Sequence, residues 1–178
     1  MLDFQIEEIF MAKDEIFPLV NEQGEVVGSA TRRECHSGSM LLHPVVHLHV
    51  RDNQGRLFLQ KRSKTKDIQP GKWDTAVGGH IDMGESVHEA LLREAREELG
   101  LTAFTPTPLF SYVHESDVER ELVNAFTAVV EESQITIDPV EIDEGRFWTL
   151  AEIDANIGKG VFTPNFESEY RRLRALWT

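Results

Sequence analysis

Residues 78–101 read GGHIDMGESVHEALLREAREELGL and contain the clearest helix of the chain. Ser86 is a favourable N-cap, and Glu89 three residues later completes the pattern of a capping box. Gly100 suits the position just beyond a helix end, so a helix is predicted over residues 86–99. One face of this helix, about 100° wide, is apolar and is expected to pack on a sheet. It carries Leu91, Leu92, Ala95 and Leu99.

A neighbouring face of the same helix carries Glu94, Glu97 and Glu98. Glu94 and Glu98 are like charges four residues apart, which destabilises a helix by about 0.2–0.5 kcal/mol. The helix dipole also disfavours anions in the last turn. A solvated acidic face, with Arg93 and Glu97 as an ordinary i,i+4 ion pair, is one interpretation. Three carboxylates placed against both rules indicate instead a hard cation bound between them.

The spacing around the helix favours the second interpretation. Five residues separate Gly79 from Glu85, and seven more lead to the stretch REAREELGL, which begins at Arg93. This matches the Nudix box G-x5-E-x7-R-E-U-x-E-E-x-G-U, with U apolar, at every fixed position. Average composition makes a chance match on the order of one in ten million. The sequence therefore resembles the Nudix hydrolases, over about residues 45–153.

The resemblance implies an α+β fold of the Nudix type, an α/β/α sandwich around a mixed β-sheet. It implies Mg²⁺ as cofactor, with Mn²⁺ as the alternative, and a small-molecule diphosphate as substrate. The implied metal ligands are Glu94, Glu97, Glu98 and a backbone carbonyl of Gly78 or Gly79. Glu85 and Arg93 would complete the catalytic set by holding the loop against the helix. The general base is left open between Glu97 and an acid within residues 141–144.

Other stretches resemble the isopentenyl-diphosphate isomerase branch of the Nudix proteins. They are Leu42-His43, Gln60-Lys61-Arg62-Ser63, Lys66, Pro70-Gly71-Lys72-Trp73 and Gly79-His80. The resemblance matches His36, His43 and His80 to three histidines that bind metal in the isomerases, and Glu141 to a metal-binding glutamate. Whether they bind a second metal here is left open.

One position departs decisively from the isomerases. Their catalytic cysteine stands just before Gly-His, where this chain has Gly78, and Cys35 does not align with it. The Nudix box is eroded in the isomerases but complete here. A hydrolase is therefore favoured over an isomerase. The complete box also argues against a third alternative, a non-catalytic module that senses a nucleotide.

Alternating apolar runs and turn signals predict further elements. Strands are expected at 17–20, 26–31, 44–50, 57–60, 73–77, 109–113, 122–130 and 146–149, and a short helix at 151–156. Thr163 as N-cap, followed by Phe166, Tyr170, Leu173 and Trp177 at helical spacing, predicts a C-terminal helix. We expect one domain over residues 1–178. It comprises a hairpin extension (1–40), a Nudix core (41–155) and a C-terminal helix (160–178).

Composition limits the class of protein and its partners. The net charge is −13, which disfavours nucleic acid and anionic membrane as partners. A diphosphate would also be repelled, so a bound cation is expected to reverse the local charge. A single cysteine and the acidic N-terminal stretch lead us to expect a cytoplasmic protein. A homodimer is left open.

Overall fold

The computed structural model describes residues 15–66 and 68–177. These residues form both groups of consecutive strands and separate helices, which confirms the α+β class. In order they are β1 (Ile16–Val20), β2 (Val26–Thr31), α1 (Arg32–Cys35), β3 (Leu42–Arg51), β4 (Leu57–Arg62), β5 (Trp73–Thr75), β6 (Val77–His80), α2 (Val87–Leu99), β7 (Thr107–Glu115), β8 (Arg120–Val129), a 3-10 turn (Glu132–Gln134), β9 (Ile142–Trp148), α3 (Leu150–Asn156) and α4 (Pro164–Leu176). No helix in this part of the chain is long and apolar enough to cross a membrane.

The strands of the described residues form two sheets. β1 and β2 pair antiparallel, as the predicted N-terminal hairpin. The other seven strands follow the order β5-β4-β3-β8-β7, with β6 beside β3 and β9 beside β4. The single strand predicted at 73–77 is wrong, because the structure has β5 and β6 there with Ala76 between them. At this break the carbonyl of Ala76 accepts a hydrogen bond from a side chain, the amide of Gln60.

The described part of the chain divides into two compact units. The first comprises residues 15–47, 79–91 and 108–125, and the second comprises residues 48–66, 68–78, 92–107 and 126–177. The single domain and its internal boundaries stay a prediction.

In the first unit, the β1–β2 hairpin is closed by a side chain in its turn. Asn21 accepts hydrogen bonds from the backbone N–H groups of Gln23 and Glu25, as turn asparagines do. A small buried cluster joins both strands of the hairpin to the helix that follows. It consists of Phe17, Ala30 and Cys35. Helix α1 follows β2 directly, with a capping box between Thr31 and Glu34. His36 comes immediately after this helix.

In the second unit, helix α4 forms as its sequence predicts. The hydroxyl of Thr163 accepts the N–H of Phe166, and the predicted apolar residues Phe166, Tyr170 and Leu173 are buried. The helix ends at Leu176, one residue before Trp177. The ring of Trp177 lies 4.1 Å from the Arg51 guanidinium.

Candidate functional site

Helix α2 begins and ends where the sequence predicts. The N–H of Ser86 donates to the Glu89 carboxylate at 2.8 Å, and the N–H of Glu89 donates to the Ser86 hydroxyl at 3.1 Å. This is the predicted capping box. At the other end Gly100 has φ +62°, the left-handed conformation that favours glycine, and its N–H donates to the carbonyl of Arg96.

The buried face of α2 differs from the predicted face at one position. Leu91, Ala95 and Leu99 are buried as expected, but Leu92 is 39% exposed, so its assignment to the buried face is wrong. Ala90 is fully buried instead. Ala90 begins the i,i+4 row that continues through Glu94 and Glu98. The buried face therefore extends toward two of the predicted metal ligands and away from Leu92.

Glu98 is held by two neutral hydrogen-bond donors. The side-chain amide of Gln60 donates to Oε1 at 3.1 Å, and the backbone N–H of Gly78 donates to Oε2 at 3.1 Å. Burial raises the pKa of Glu98 to about 8, and the nearby charges of Glu94 and Asp74 act in the same direction. The two donors oppose this shift but do not overcome it. Glu98 is thus an oriented carboxyl group whose ionised form is disfavoured by burial and by two neighbouring carboxylates.

Arg93 connects the other two predicted ligands. Its Nη1 lies 2.8 Å from Oε1 of Glu94 and 3.4 Å from Oε2 of Glu97. The i,i+4 ion pair of the simpler interpretation is therefore present. The Glu97 side chain is 55% exposed, whereas that of Glu94 is mostly buried. Of these two predicted ligands, Glu97 is the more exposed.

The remaining residues of the Nudix box occupy the loop before α2. Oε1 of Glu85 accepts the N–H of Asp82 at 3.0 Å, so this side chain orders the loop from within. Gly79 follows Gly78 in β6. Its predicted role as a carbonyl ligand, and the joint role of Glu85 and Arg93, stay predictions.

Two of the downstream acids predicted as alternative bases contact the loop that carries Lys64 and Lys66. Glu141 forms an ion pair with Lys66, and Asp143 accepts the backbone N–H of Lys64 at 3.1 Å. Sequence reasoning also missed Asp74, which lies 3.5 Å from Arg62 and accepts the Thr163 hydroxyl at 3.0 Å. No spacing rule marks Asp74, because strand β5 is only three residues long.

A second group of possible ligands lies in the first unit. His36, His43, His80 and Glu119 each offer one atom, and these atoms lie within 4.8 Å of one another. We call this group the histidine cluster. Nε2 of His36 is 3.2 Å from Nε2 of His80 and 3.1 Å from Oε2 of Glu119. A second carboxylate, that of Glu121, lies 4.0 Å from His43 and 3.9 Å from His80.

The protonation state of the cluster suits a metal. Nδ1 of His43 lies 3.0 Å from the carbonyl of Leu41, so this nitrogen carries the proton. Nε2 of His43 then presents a lone pair, and no residue that the structure describes forms a hydrogen bond with this buried atom. Burial lowers the pKa of His36 to about 4 and lowers the pKa values of His43 and His80 as well. Metal-binding histidines are neutral in this way.

The environment of the cluster restricts its rings. Phe17 of β1 stacks on His80 at 4.5 Å and on His43 at 5.7 Å between ring centroids.

The carboxylate in the cluster is Glu119, whereas Glu141 pairs with Lys66, which corrects the assignment of Glu141. Glu119 and Glu121 stand two residues apart at the start of β8. That spacing was a usable signal in the sequence.

Comparisons with known proteins agree with this geometry. The NUDIX domain family model matches residues 41–166. The chain is 34% identical over 168 residues to SCO1686 of Streptomyces coelicolor, covering 94% of this chain and 92% of the relative. It is 30% identical over 160 residues to YfcD of Escherichia coli K12, covering 90% and 87%. Both relatives are described as uncharacterized Nudix hydrolases.

Solved structures share the fold. DR0079 from Deinococcus radiodurans superposes with a TM-score of 0.76 at 29% identity, covering 89% of this chain and 98% of the other. The NUDIX domain of Shewanella oneidensis NrtR, solved with ADP ribose, gives a TM-score of 0.60 at 19% identity, covering 78% and 89%. The second similarity concerns the fold alone. The Nudix box, the helix that presents its glutamates, and a family match over residues 41–166 lead to one conclusion: the chain belongs to the Nudix hydrolase family.

Proposed function

We propose that this chain is a Mg²⁺-dependent enzyme that hydrolyses a diphosphate linkage in a nucleoside diphosphate derivative or a similar small molecule. The observation that carries the proposal is Glu98. Two neutral donors orient its carboxylate, and burial, together with the charges of Glu94 and Asp74, raises its pKa to about 8. A divalent cation would offset these effects, and oxygen ligands are those that Mg²⁺ prefers.

The proposed roles follow from the positions of the side chains on α2. Glu94 and Glu98 would hold the metal from the protein-facing row of the helix, with Mn²⁺ as an alternative ion. Bound Mg²⁺ would neutralise charge on the diphosphate and lower the pKa of a water molecule. Glu97 is mostly exposed and only loosely paired with Arg93, so it is free to accept a proton from the attacking water. Arg93 limits repulsion between Glu94 and Glu97.

A panel of diphosphates tests this proposal. It includes nucleoside diphosphates and triphosphates, nucleotide sugars and ADP-ribose, the last because the NrtR domain was solved with it. We expect Mg²⁺-dependent release of phosphate-containing products from at least one compound, and none in excess EDTA. Full turnover in EDTA would contradict the proposal. Binding without turnover across the whole panel would favour the sensing module.

We also propose that the histidine cluster holds a second metal ion. Nε2 of His43 is fully buried and has no hydrogen-bond partner among the described residues, which supports this, together with the lowered pKa values of the three imidazoles. Imidazole ligands suit transition metals such as Zn²⁺ or Mn²⁺ better than Mg²⁺. One ion would then link ligands that directly follow α1, lie within β3 and β6, and directly precede β8.

Metal content after dialysis against Zn²⁺ tests the second site. We expect His43→Asn to bind one equivalent less than the wild type, measured by elemental mass spectrometry. His88→Asn, at an exposed position at the start of α2, is the matched control and should bind as the wild type does. Equal zinc content in wild type and His43→Asn would contradict the proposal.

A further inference from the structure

Gln60 is a buried amide in the interior of a sheet. It lies on β4, between β5 and β9, opposite Asp74 on one side and Gly145 on the other. Its exposed fraction is 8%, and the strand residues Leu57, Phe58 and Leu59 before it are buried and apolar. Burying an amide is unfavourable unless it is hydrogen-bonded, so an apolar residue would be the simpler choice here.

The hydrogen bonds of Gln60 explain its presence. One amide nitrogen donates both to the carbonyl of Ala76 at 3.0 Å and to Oε1 of Glu98 at 3.1 Å. The bond to Ala76 fixes the amide to the backbone between β5 and β6. An amide fixed at a second point cannot follow the carboxylate if the carboxylate rotates. The bond to Glu98 therefore resists that rotation.

The second oxygen of Glu98 is restrained as well. The Gly78 N–H donates to Oε2 at 3.1 Å, so each oxygen of the Glu98 carboxylate already accepts one hydrogen bond. A cation that coordinates both oxygens would have to share both of them with these donors. A cation that coordinates one oxygen would share only one.

We propose that Gln60 is a positioning residue that restricts Glu98 to one-oxygen coordination and thereby favours Mg²⁺ over Ca²⁺ at the α2 carboxylates. The physical basis is the difference between the two ions. Mg²⁺ requires near-ideal octahedral geometry, whereas Ca²⁺ accepts carboxylates through one or both oxygens and tolerates variable geometry. This inference rests on the proposed function, because it requires a divalent cation at Glu98.

Displacement of Mn²⁺ tests the inference without any turnover assay. Bound Mn²⁺ is measured by electron paramagnetic resonance, and the Mn²⁺ bound by wild type but not by Glu98→Gln defines the α2 site. This subtraction removes any Mn²⁺ held by the histidine cluster. Mg²⁺ and Ca²⁺ are then titrated as competitors.

The informative variant is Gln60→Met, which keeps the side-chain length and removes the donor. We expect it to weaken Mg²⁺ binding about tenfold, as is typical when a partner of a metal ligand is lost. Ca²⁺ binding should weaken less, so the preference for Mg²⁺ should fall by roughly threefold or more. Gln54→Met, at an exposed position, is the matched control and should change neither affinity.

The possible outcomes separate the inference from the proposed function. A folded Gln60→Met variant with an unchanged ratio of Mg²⁺ to Ca²⁺ affinity would overturn the inference, even if its melting temperature fell. If Gln60→Met does not fold, Gln60→Asn, which keeps the amide but is one methylene too short, provides the same ratio. Wild type without Glu98-dependent Mn²⁺ binding would overturn both the inference and the proposed function.

Discussion

Glu98 links the stability of the metal-free protein to pH. Burial raises its pKa from 4.5 to about 8, so between these values the folded state retains a proton that the unfolded chain has released. The resulting stabilisation is fully present below about pH 4.5 and is lost as the pH rises through about 8.

In EDTA, the free energy of unfolding of the wild type should therefore decline across this range more steeply than that of Glu98→Gln. Urea denaturation at several pH values measures both slopes. Glu132→Gln, on the exposed 3-10 turn, should follow the wild type. Parallel curves for wild type and Glu98→Gln would show that Glu98 is not the titrating group.

Gly78 and Cys35 together argue against an isomerase. Gly78 has no side chain to transfer a proton, and its N–H donates a hydrogen bond to Glu98. Cys35 is fully buried, and burial, with the charges of Glu34 and Glu119, raises its pKa to about 11. Such a thiol is neither accessible nor ionised near neutral pH.

Incubation with isopentenyl diphosphate in deuterated water should accordingly leave all carbon positions unlabelled when followed by NMR. The isomerase reaction moves a proton on and off carbon, so any isomerase activity would introduce deuterium. Deuterium incorporation that disappears in Cys35→Ala would overturn the hydrolase assignment.

At the scale of elements, the caps of α3 and α4 allow a paired comparison. Thr149 and Thr163 each accept a backbone N–H three residues later, at 3.1 and 3.2 Å. Thr163 alone of the two also donates to a carboxylate, that of Asp74, at 3.0 Å, and it is buried. Losing an N-cap costs about 0.5–2 kcal/mol, and losing a further hydrogen bond adds about 1 kcal/mol.

Thr163→Ala should therefore reduce the free energy of unfolding by about 1 kcal/mol more than Thr149→Ala does. Urea denaturation of both variants measures the difference. An equal or larger loss in Thr149→Ala would mean that the bond to Asp74 contributes nothing.

Elements with strong local signals were predictable, and those that depend on packing were not. The capping box at Ser86 and the glycine at position 100 fix both ends of α2 through bonds within a few residues. The exposure of Leu92 depends on which side of the helix meets the rest of the fold, which helical periodicity leaves ambiguous. At the break between β5 and β6, the carbonyl of Ala76 bonds to Gln60, sixteen residues away. No local pattern contains that contact.

The residues of the candidate site were likewise predictable only where the signal is local in sequence. The motif identified Glu94, Glu97 and Glu98 because they lie within five residues of one another. Gln60, which orients Glu98, lies on β4. Asp74, whose charge raises the pKa of Glu98, lies on β5. The three histidines were identified by resemblance. Glu119 was missed, because its spacing from Glu121 indicates a pair of carboxylates but not the histidines that they meet.

At the scale of the whole molecule, a chain with a net charge of −13 is expected to gain stability from a bound cation. Mg²⁺ that binds only the folded state stabilises it by about 2.7 kcal/mol at one hundred times its dissociation constant. Saturating Mg²⁺ should raise the melting temperature of the wild type and have little effect on Glu98→Gln. Differential scanning calorimetry, with matched NaCl as an ionic-strength control, measures this. Equal shifts in both proteins would indicate general charge screening.

The central claim is that the α2 carboxylates direct hydrolysis of a diphosphate linkage. The most direct measurement is phosphorus NMR of the reaction in water enriched in the heavy oxygen isotope. With Mg²⁺ present, the wild type should place the heavy oxygen in one phosphate product, and Glu98→Gln should lose most of this activity while Glu132→Gln retains it. Undiminished labelling by Glu98→Gln at saturating Mg²⁺, or no labelled product from any diphosphate tested, would contradict the claim.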